Sequence, residues 1–297
     1  MTRQRADARL AWAFTAPAIG TVALVAVFPI LWTFWESLHL HDLRMPWLGR
    51  PFVGGLNYAE ALSDQRFRDA VAHTAFFAAV TVTLEIVGGL ALALLLDGAI
   101  RARGLARTAA LLPWAVPTVV VALVWRFMFE SPFGLATTLA AGVGVEAPTW
   151  FASATAAWIP LLAADTWKMT PFVAILLLAG LQQIDPALYE AAAIDGAGPW
   201  RSFREITLPL LRPALVVAFL FRTLDAIRVF DVVYVMTGGG PGSATESIAV
   251  LTFTSLLQNL RFGYASALSI LVFVAAFGFA LAAIRVLGGD AFVERRA

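Results

Sequence analysis

The feature that most constrains this chain is a series of apolar runs, each long enough to cross a lipid bilayer. A helix needs about 20 mostly apolar residues to span a hydrocarbon core about 30 Å thick. Six runs meet this requirement, at residues 11–38, 70–96, 108–129, 152–181, 213–236 and 263–287. Composition agrees, because 60% of the residues are hydrophobic and 14% are charged, against about a quarter charged in soluble domains. The sequence therefore predicts an all-α polytopic membrane protein, with residues 1–297 forming a single transmembrane domain of six helices.

Proline interrupts one of these runs. Pro113 and Pro117 both lie in the third run, residues 108–129. Prolines are tolerated in membrane helices where neighbouring groups satisfy the freed backbone, so we predict one span here.

The arginines orient the helices in the membrane. They cluster in the N-terminal tail and between the second and third runs, at Arg3, Arg5, Arg9, Arg101, Arg103 and Arg107. Cytoplasmic segments of membrane proteins carry an excess of Lys and Arg, so both termini are predicted to be cytoplasmic. Arginines between the first and second runs weaken this signal.

Several classes of function are excluded. The chain contains no cysteine, so it has no thiolate metal site and no cysteine nucleophile. His39 and His41 lie two residues apart in a polar segment, where such a pair is more often solvated than bound to a metal. The only lysine, Lys168, is followed by Met169 in an apolar run, whereas a P-loop needs Gly-Lys-Ser/Thr. We predict no catalytic residue, no metal site and no cofactor in the chain itself.

A polar segment, residues 182–212, lies between the fourth and fifth runs and starts with a short helix. Asp185 can cap this helix, and Pro186 suits its first position, where a missing N–H costs nothing. Gly196 is placed to end it, because the residue beyond a helix end often needs a positive φ. Under the arginine-based orientation, this segment faces the cytoplasm.

A second short helix is predicted after Pro199. It places Trp200 and Phe203 on one side, since residues three apart are neighbours on a helix, and it ends at Leu208-Pro209. Two solvent-exposed aromatic rings suggest a surface that binds another protein.

The same segment resembles the EAA motif of permease subunits of bacterial and archaeal ABC importers. Every fixed position of the pattern EAA-x3-G-x9-I-x-LP is present, as Glu190, Ala191, Ala192, Gly196, Ile206, Leu208 and Pro209. The resemblance extends to residues 55–58 (Gly-Leu-Asn-Tyr), 222–231 and 237–241 (Thr-Gly-Gly-Gly-Pro), which are similar to segments of sugar-importer permeases. The chain lacks the extra N-terminal spans and the large outer domain of the enterobacterial maltose permease.

The resemblance implies a fold, a function and partners. The fold is that of a type I ABC importer permease, and the solute is a sugar, with a disaccharide such as trehalose or maltose favoured. The partners are a second, related permease, two ATPase subunits that bind ATP and Mg²⁺, and an external solute-binding protein. The ATPase subunits dock on the EAA segment, so Asp195 joins the seven motif residues as a coupling residue.

A ladder of charges is the second informative pattern. Arg222, Asp225, Arg228 and Asp231 alternate in sign at spacings of three within the fifth run, so consecutive members can pair on one helix. Charges within a span normally face a bundle interior or a water-filled cavity. The ladder either lines the solute path or fixes helix packing, and the sequence leaves both interpretations open.

Other polar and aromatic residues inside the runs are further candidates for the path. Glu85, followed by Gly88-Gly89, is expected to pair with a cation on another span, where the glycines allow close approach. Asp165 and Lys168, three apart, are expected to pair with each other.

Trp125 and Trp167 are also candidates for the path. Either they stack on a sugar ring or they anchor the helices at the membrane interface, as most tryptophans of membrane proteins do.

Two other functions remain as alternatives. A secondary transporter would usually show inverted repeats, and we find no convincing internal repeat. A membrane enzyme acting on lipid-linked sugars would need an acidic pair or a metal motif at a membrane face, and none is visible. Neither alternative explains the EAA segment.

Overall fold

The computed structural model describes residue 12 and residues 14–98, 103–144 and 146–293. Within these ranges the chain is helical and forms no strand, only isolated bridges such as that between His39 and Phe52. The helices, numbered in chain order, are α1 (Phe14–Ser37), α2 (Leu56–Ser63), α3 (Gln65–Asp97), α4 (Arg103–Ala115), α5 (Thr118–Phe129), α6 (Leu135–Gly142), α7 (Trp158–Leu181), α8 (Pro186–Ile194), α9 (Pro199–Ala226), α10 (Asp231–Met236), α11 (Ile248–Gln258) and α12 (Phe262–Val293).

The long helices confirm the prediction of a polytopic membrane protein. In the described part of the chain, five helices are long and apolar enough to cross a membrane: α1, α3, α7, α9 and α12. The pair α4 and α5 makes a sixth span if it is counted as one. The arginines at positions 3, 5, 9 and 101 lie outside the described residues.

The third predicted span is broken, contrary to our expectation of one continuous helix. Its two halves, α4 and α5, meet at an angle of 85°. Pro113 lies inside α4, whereas Pro117 has an extended backbone (ψ 135°) immediately before α5. Proline removes a donor and disfavours helical backbone at the residue before it. The helix therefore stops at Ala115 and restarts at Thr118.

The fifth span, predicted at residues 213–236, differs from the structure at both ends: its helix begins earlier, at Pro199, and stops earlier, at Ala226. Leu208-Pro209 does not end a short helix, because α9 runs without interruption from Pro199 to Ala226. A π-helical turn, Phe203–Thr207, precedes the proline, and the Leu208 N–H donates to the Phe203 carbonyl, five residues back. This wider turn shifts the hydrogen-bond register where Pro209 lacks a donor, so the helix continues.

At its other end, α9 stops at Ala226 and the chain turns before α10. The buried Ser247 hydroxyl donates to the carbonyl of Val229 in this turn, at 2.8 Å. A donor from another segment thus replaces the helical donor that the break removes.

The chain falls into two compact units. The first comprises the described residues up to Gln65 together with Thr252–Ala275. Asn57 holds its α1–α2 connection, since its Nδ2 donates to the carbonyls of Ser37 (2.7 Å) and His39 (3.0 Å). In the same unit, Arg261 donates to both carboxylate oxygens of Glu60, at 2.6 and 2.7 Å.

A buried carboxylate, Asp42, also belongs to this first unit. The Arg44 Nε and Nη2 donate to it at 2.9 and 2.6 Å. These hydrogen bonds lower the pKa of Asp42 below its ordinary value of 3.8. The carboxylate is therefore charged at neutral pH and fixes the turn that follows α1.

The second unit comprises Arg66–Leu251 and the described residues from Ala276 onward. One of its apolar clusters joins α3, α7 and α9 through Leu96, Leu177 and Leu211. Gly89 lets α3 approach α7 closely, because a Cβ at this position would lie 2.5 Å from Val173 Cγ1. The prediction that glycine permits close packing here is confirmed.

Candidate functional site

The EAA segment begins with a helix whose two ends are fixed as predicted. Asp185 caps α8, since its Oδ1 accepts from the Ala187 N–H at 2.9 Å, and Pro186 is the first residue. At the other end Gly196 has a φ of +77°. The Ala197 N–H donates to the Ala192 carbonyl at 2.8 Å, which is the five-residue hydrogen bond of a Schellman motif.

Most residues of the EAA motif are exposed to solvent. Glu190, Ala191, Asp195, Gly196, Leu208 and Pro209 are exposed, whereas Ala192 and Ile206 are half-buried. A hydrogen bond of 2.9 Å between the hydroxyls of Tyr189 and Thr207 ties α8 to the start of α9. The two helices are thus joined at a corner, residues 185–209, which we call the EAA corner and in which most motif residues are exposed.

An apolar groove of about 830 Å³ lies beside this corner. Trp200 and Phe203, which stack at 5.5 Å between ring centroids, form part of its wall with Tyr189 and Leu94. Trp200 is 72% exposed. The prediction that both rings lie on one side of a helix is confirmed.

The charged candidates inside the spans converge on one arginine. Arg222 of α9 is fully buried, and its Nε and Nη2 donate to Glu85 of α3 at 2.5 and 2.8 Å. Its Nη2 also donates to Asp165 of α7 at 3.1 Å, and its Nη1 to Asp225 at 2.5 Å. Glu85 therefore pairs with a cation on another span, as predicted. One guanidinium binds three carboxylates and links three helices.

The expected pair of Asp165 with Lys168 is wrong. Asp165 binds Arg222 instead, and the Lys168 Nζ donates to the carbonyls of Trp114 (3.1 Å) and Val116 (2.7 Å). The break between α4 and α5 deprives these carbonyls of helical donors, so they attract the ammonium.

Of the three pairs that the charge ladder predicted, the first is confirmed and the other two are wrong. Arg222 and Asp225 pair on α9, but Arg228 lies in the turn after it and Asp231 begins α10. Within the described ranges, neither Arg228 nor Asp231 forms an ion pair; the Arg228 Nε donates only to the Leu224 carbonyl, at 3.2 Å. The turn removes the helical spacing that pairing required.

These residues surround a polar cavity of about 130 Å³. All members of the ladder line it, together with Asp165, Lys168, Phe77, Thr118, Met169, Ala226, Val229, Phe230 and Val232. Sequence reasoning missed Thr118 and Phe77 because nothing in their own segments marks them; only the packing of the helices brings them here.

The other candidates lie outside this cavity wall. Glu85 has no exposed surface and supports Arg222 from the α3 side. Trp125 and Trp167 lie near each other, with ring centroids 6.1 Å apart, and Trp167 is 46% exposed. None of the three lines the cavity. Among the residues the structure describes, no group of three or more His, Cys, Asp or Glu side chains is placed to hold a metal ion.

Comparisons with known proteins agree with this architecture. The family "Binding-protein-dependent transport system inner membrane component" matches residues 85–296. The trehalose/maltose transport system permease protein MalF of Thermococcus litoralis is 43% identical over 281 residues, 94% of each chain. The trehalose transport system permease protein SugA of Mycobacterium tuberculosis is 37% identical over 290 residues, 96% of this chain and 91% of that one.

A solved structure shares the fold. It is described as a bacterial ABC transporter involved in the import of the acidic polysaccharide alginate, and the matched chain is 23% identical with a TM-score of 0.81. The match covers 96% of this chain and 98% of that one. The predictions of an ABC importer permease fold, and of a transport subunit rather than an enzyme, are confirmed. The chain thus belongs to the family of inner membrane components of binding-protein-dependent transport systems.

Proposed function

We propose that this chain is one of two permease subunits of an ATP-driven importer and that it passes a sugar, a disaccharide such as trehalose or maltose, along the charged wall of the polar cavity. The two relatives compared above are named as permeases for these sugars. The observation that carries the proposal is the cavity itself, a polar site between spans with charged groups in its wall.

The hydrogen bonds within the wall divide its charges into two groups. Arg222, Asp165 and Lys168 are held by partners in the protein. Arg228 and Asp231 form no ion pair among the described residues, and the side chain of Asp225 is 55% exposed although it binds Arg222. Hydrogen bonds to charged groups are about twice as strong as those between neutral groups. We assign solute contacts to this second group, and support of the wall to the first.

The EAA corner is the proposed docking site for an ATPase subunit. Two ATPase subunits bind ATP with Mg²⁺, one for each permease. The one that docks on this chain contacts the exposed face of α8, where Glu190 offers a charge and Gly196 a compact turn. A second permease completes the pore, and an external binding protein delivers the sugar. A short helix held in a cleft transmits a domain rotation to the spans attached to it. Both termini are cytoplasmic in this arrangement.

Uptake by purified importer in liposomes, supplied with its binding protein and ATP, tests the solute contacts. Arg228→Gln and Asp231→Asn each remove a charged hydrogen-bonding group worth about 1.5–3 kcal/mol, so we expect uptake to fall roughly ten- to hundredfold at low sugar concentration. Arg285→Gln, an exposed arginine on α12, is the matched control and should keep full uptake. Full uptake by both cavity variants would contradict the assignment.

A further inference from the structure

The break between α4 and α5 leaves backbone groups that a side chain from another span satisfies. The carbonyls of Trp114 and Val116 lie at the break, where the chain turns by 85°. An unsatisfied carbonyl within a membrane costs several kcal/mol. The ammonium of Lys168 binds both, at 3.1 and 2.7 Å.

Lys168 reaches this position from α7, and it is 7% exposed. Its ammonium has three donor hydrogens, and the two carbonyls engage two of them. The residue also lies in the cavity wall, to which Thr118, the first residue of α5, contributes as well. One side chain thus joins the break to the proposed solute cavity.

We propose that Lys168 is a positioning residue for solute passage: by binding the Trp114 and Val116 carbonyls it fixes the α4–α5 bend and hence the place of Thr118 in the cavity wall. The inference rests on the proposed function only for the link to transport. The alternative role, a cation that binds the solute directly, does not explain why two backbone carbonyls are its partners.

The bend can be measured without transport. Because the chain has no cysteine, spin labels can be placed on cysteines substituted at Leu105 and Phe127, which are 73% and 70% exposed. At 1.5 Å per residue, the two Cα atoms would be about 33 Å apart in a straight helix and about 23 Å apart across a right-angled bend midway between them. The measurement uses the complete importer in lipid nanodiscs.

Lys168→Met keeps an unbranched side chain that is one atom shorter, and it removes all the donors. We expect its label distances to broaden and lengthen, and its maximal uptake rate to fall at least tenfold. Lys168→Arg, which keeps a charged donor, should restore the short distance and most of the uptake. Ile159→Met, at a half-exposed position of the same helix, should change neither. If Lys168→Met does not accumulate, Lys168→Gln replaces it: its shorter side chain keeps only a neutral donor, so we expect the same direction of change in distance and uptake, to a smaller degree.

The outcomes separate the two proposals. An unchanged distance in Lys168→Met would overturn the positioning role, whether uptake falls or not, and a fall in uptake alone would indicate direct solute contact. A lengthened distance with normal uptake would overturn the link to transport. If Arg228→Gln and Asp231→Asn keep full uptake, the assignment of the cavity fails, while the distance measurement still decides whether Lys168 fixes the bend.

Discussion

At the scale of single residues, local rules were sufficient for the two ends of α8, although they failed for Asp165 and Lys168, which lie three residues apart and do not pair. Asp185 caps α8 through a hydrogen bond to Ala187, two residues away, and Gly196 takes a positive φ two residues after the helix ends at Ile194. Arg222 required more, because Glu85 lies 137 residues from it in sequence and Asp165 lies 57 residues from it. The sequence predicted a cation for Glu85, but only the packing of α3, α7 and α9 identifies it.

Replacing Gly196 tests the coupling role. Apart from its two chain neighbours, no described residue has an atom within 4 Å of a Cβ built on it, so the fold has room for a side chain. Gly196→Asp and Gly196→Asn are both polar residues that tolerate a positive φ, and they differ in charge. We expect both variants to reach the membrane, and Gly196→Asp to retain far less ATPase when the complex is purified through a tag on this chain. Equal, normal ATPase recovery and normal uptake in Gly196→Asp would contradict the coupling assignment.

Removing Arg222 tests the buried network. Arg222→Met leaves Glu85 and Asp165 without their cation, and an unpaired buried charge costs about 3–5 kcal/mol. We expect little folded subunit in the membrane, as measured by immunoblot of membrane fractions. The double variant Arg222→Met with Glu85→Gln removes one of the stranded charges and should accumulate better. Wild-type levels of the single variant would show that the network contributes little to stability.

At the scale of helices, the sequence predicted where spans exist and missed where they break. Periodicity and hydropathy describe only the residues of the helix itself. The breaks after Ala115 and Ala226 depend on hydrogen-bond donors from other segments of the chain. Lys168 satisfies the first break and Ser247 the second. Proline marked the first break in the sequence, and neither proline nor glycine marked the second. The ladder of charges was misjudged for that reason.

Ser247→Ala tests whether a remote donor stabilises the second break. It leaves the Val229 carbonyl without its side-chain donor, and an unsatisfied buried acceptor costs about 1–3 kcal/mol. We expect the thermal unfolding midpoint of the purified importer to fall by several degrees. Ser269→Ala is the matched control, because the Ser269 hydroxyl donates to Ala265 within its own helix. An equal midpoint for the two variants would argue against this role of Ser247.

At the scale of the whole molecule, composition and the EAA segment were sufficient for the fold class and the family. Six apolar runs correspond to five long helices and one broken pair among the described residues. The division into two compact units was not predicted, since it arises from which helices pack together. The solute cavity was predicted only in part, because residues of several helices line it.

The orientation in the membrane is tested by cysteines substituted one at a time. Ser63 follows the first predicted span and Gly198 lies in the EAA corner, and both are exposed. With both termini cytoplasmic, a membrane-impermeant thiol reagent added to intact cells should label Ser63→Cys and spare Gly198→Cys. Permeabilised cells provide the control, in which both positions should react. Labelling of Gly198→Cys in intact cells would reverse the orientation and remove the EAA corner from the reach of an ATPase.

The burial of Lys168 has a practical consequence for chemical probing. Lys168 is the only lysine of the chain, and its amine is enclosed between α7 and the α4–α5 bend. Apart from the chain's amino terminus, acylating reagents therefore have one target amine in this chain, and we expect it to react faster when the bend opens and releases it from the two carbonyls. The rate of acylation at Lys168, followed by mass spectrometry during ATP turnover, should report that opening in the unmodified protein.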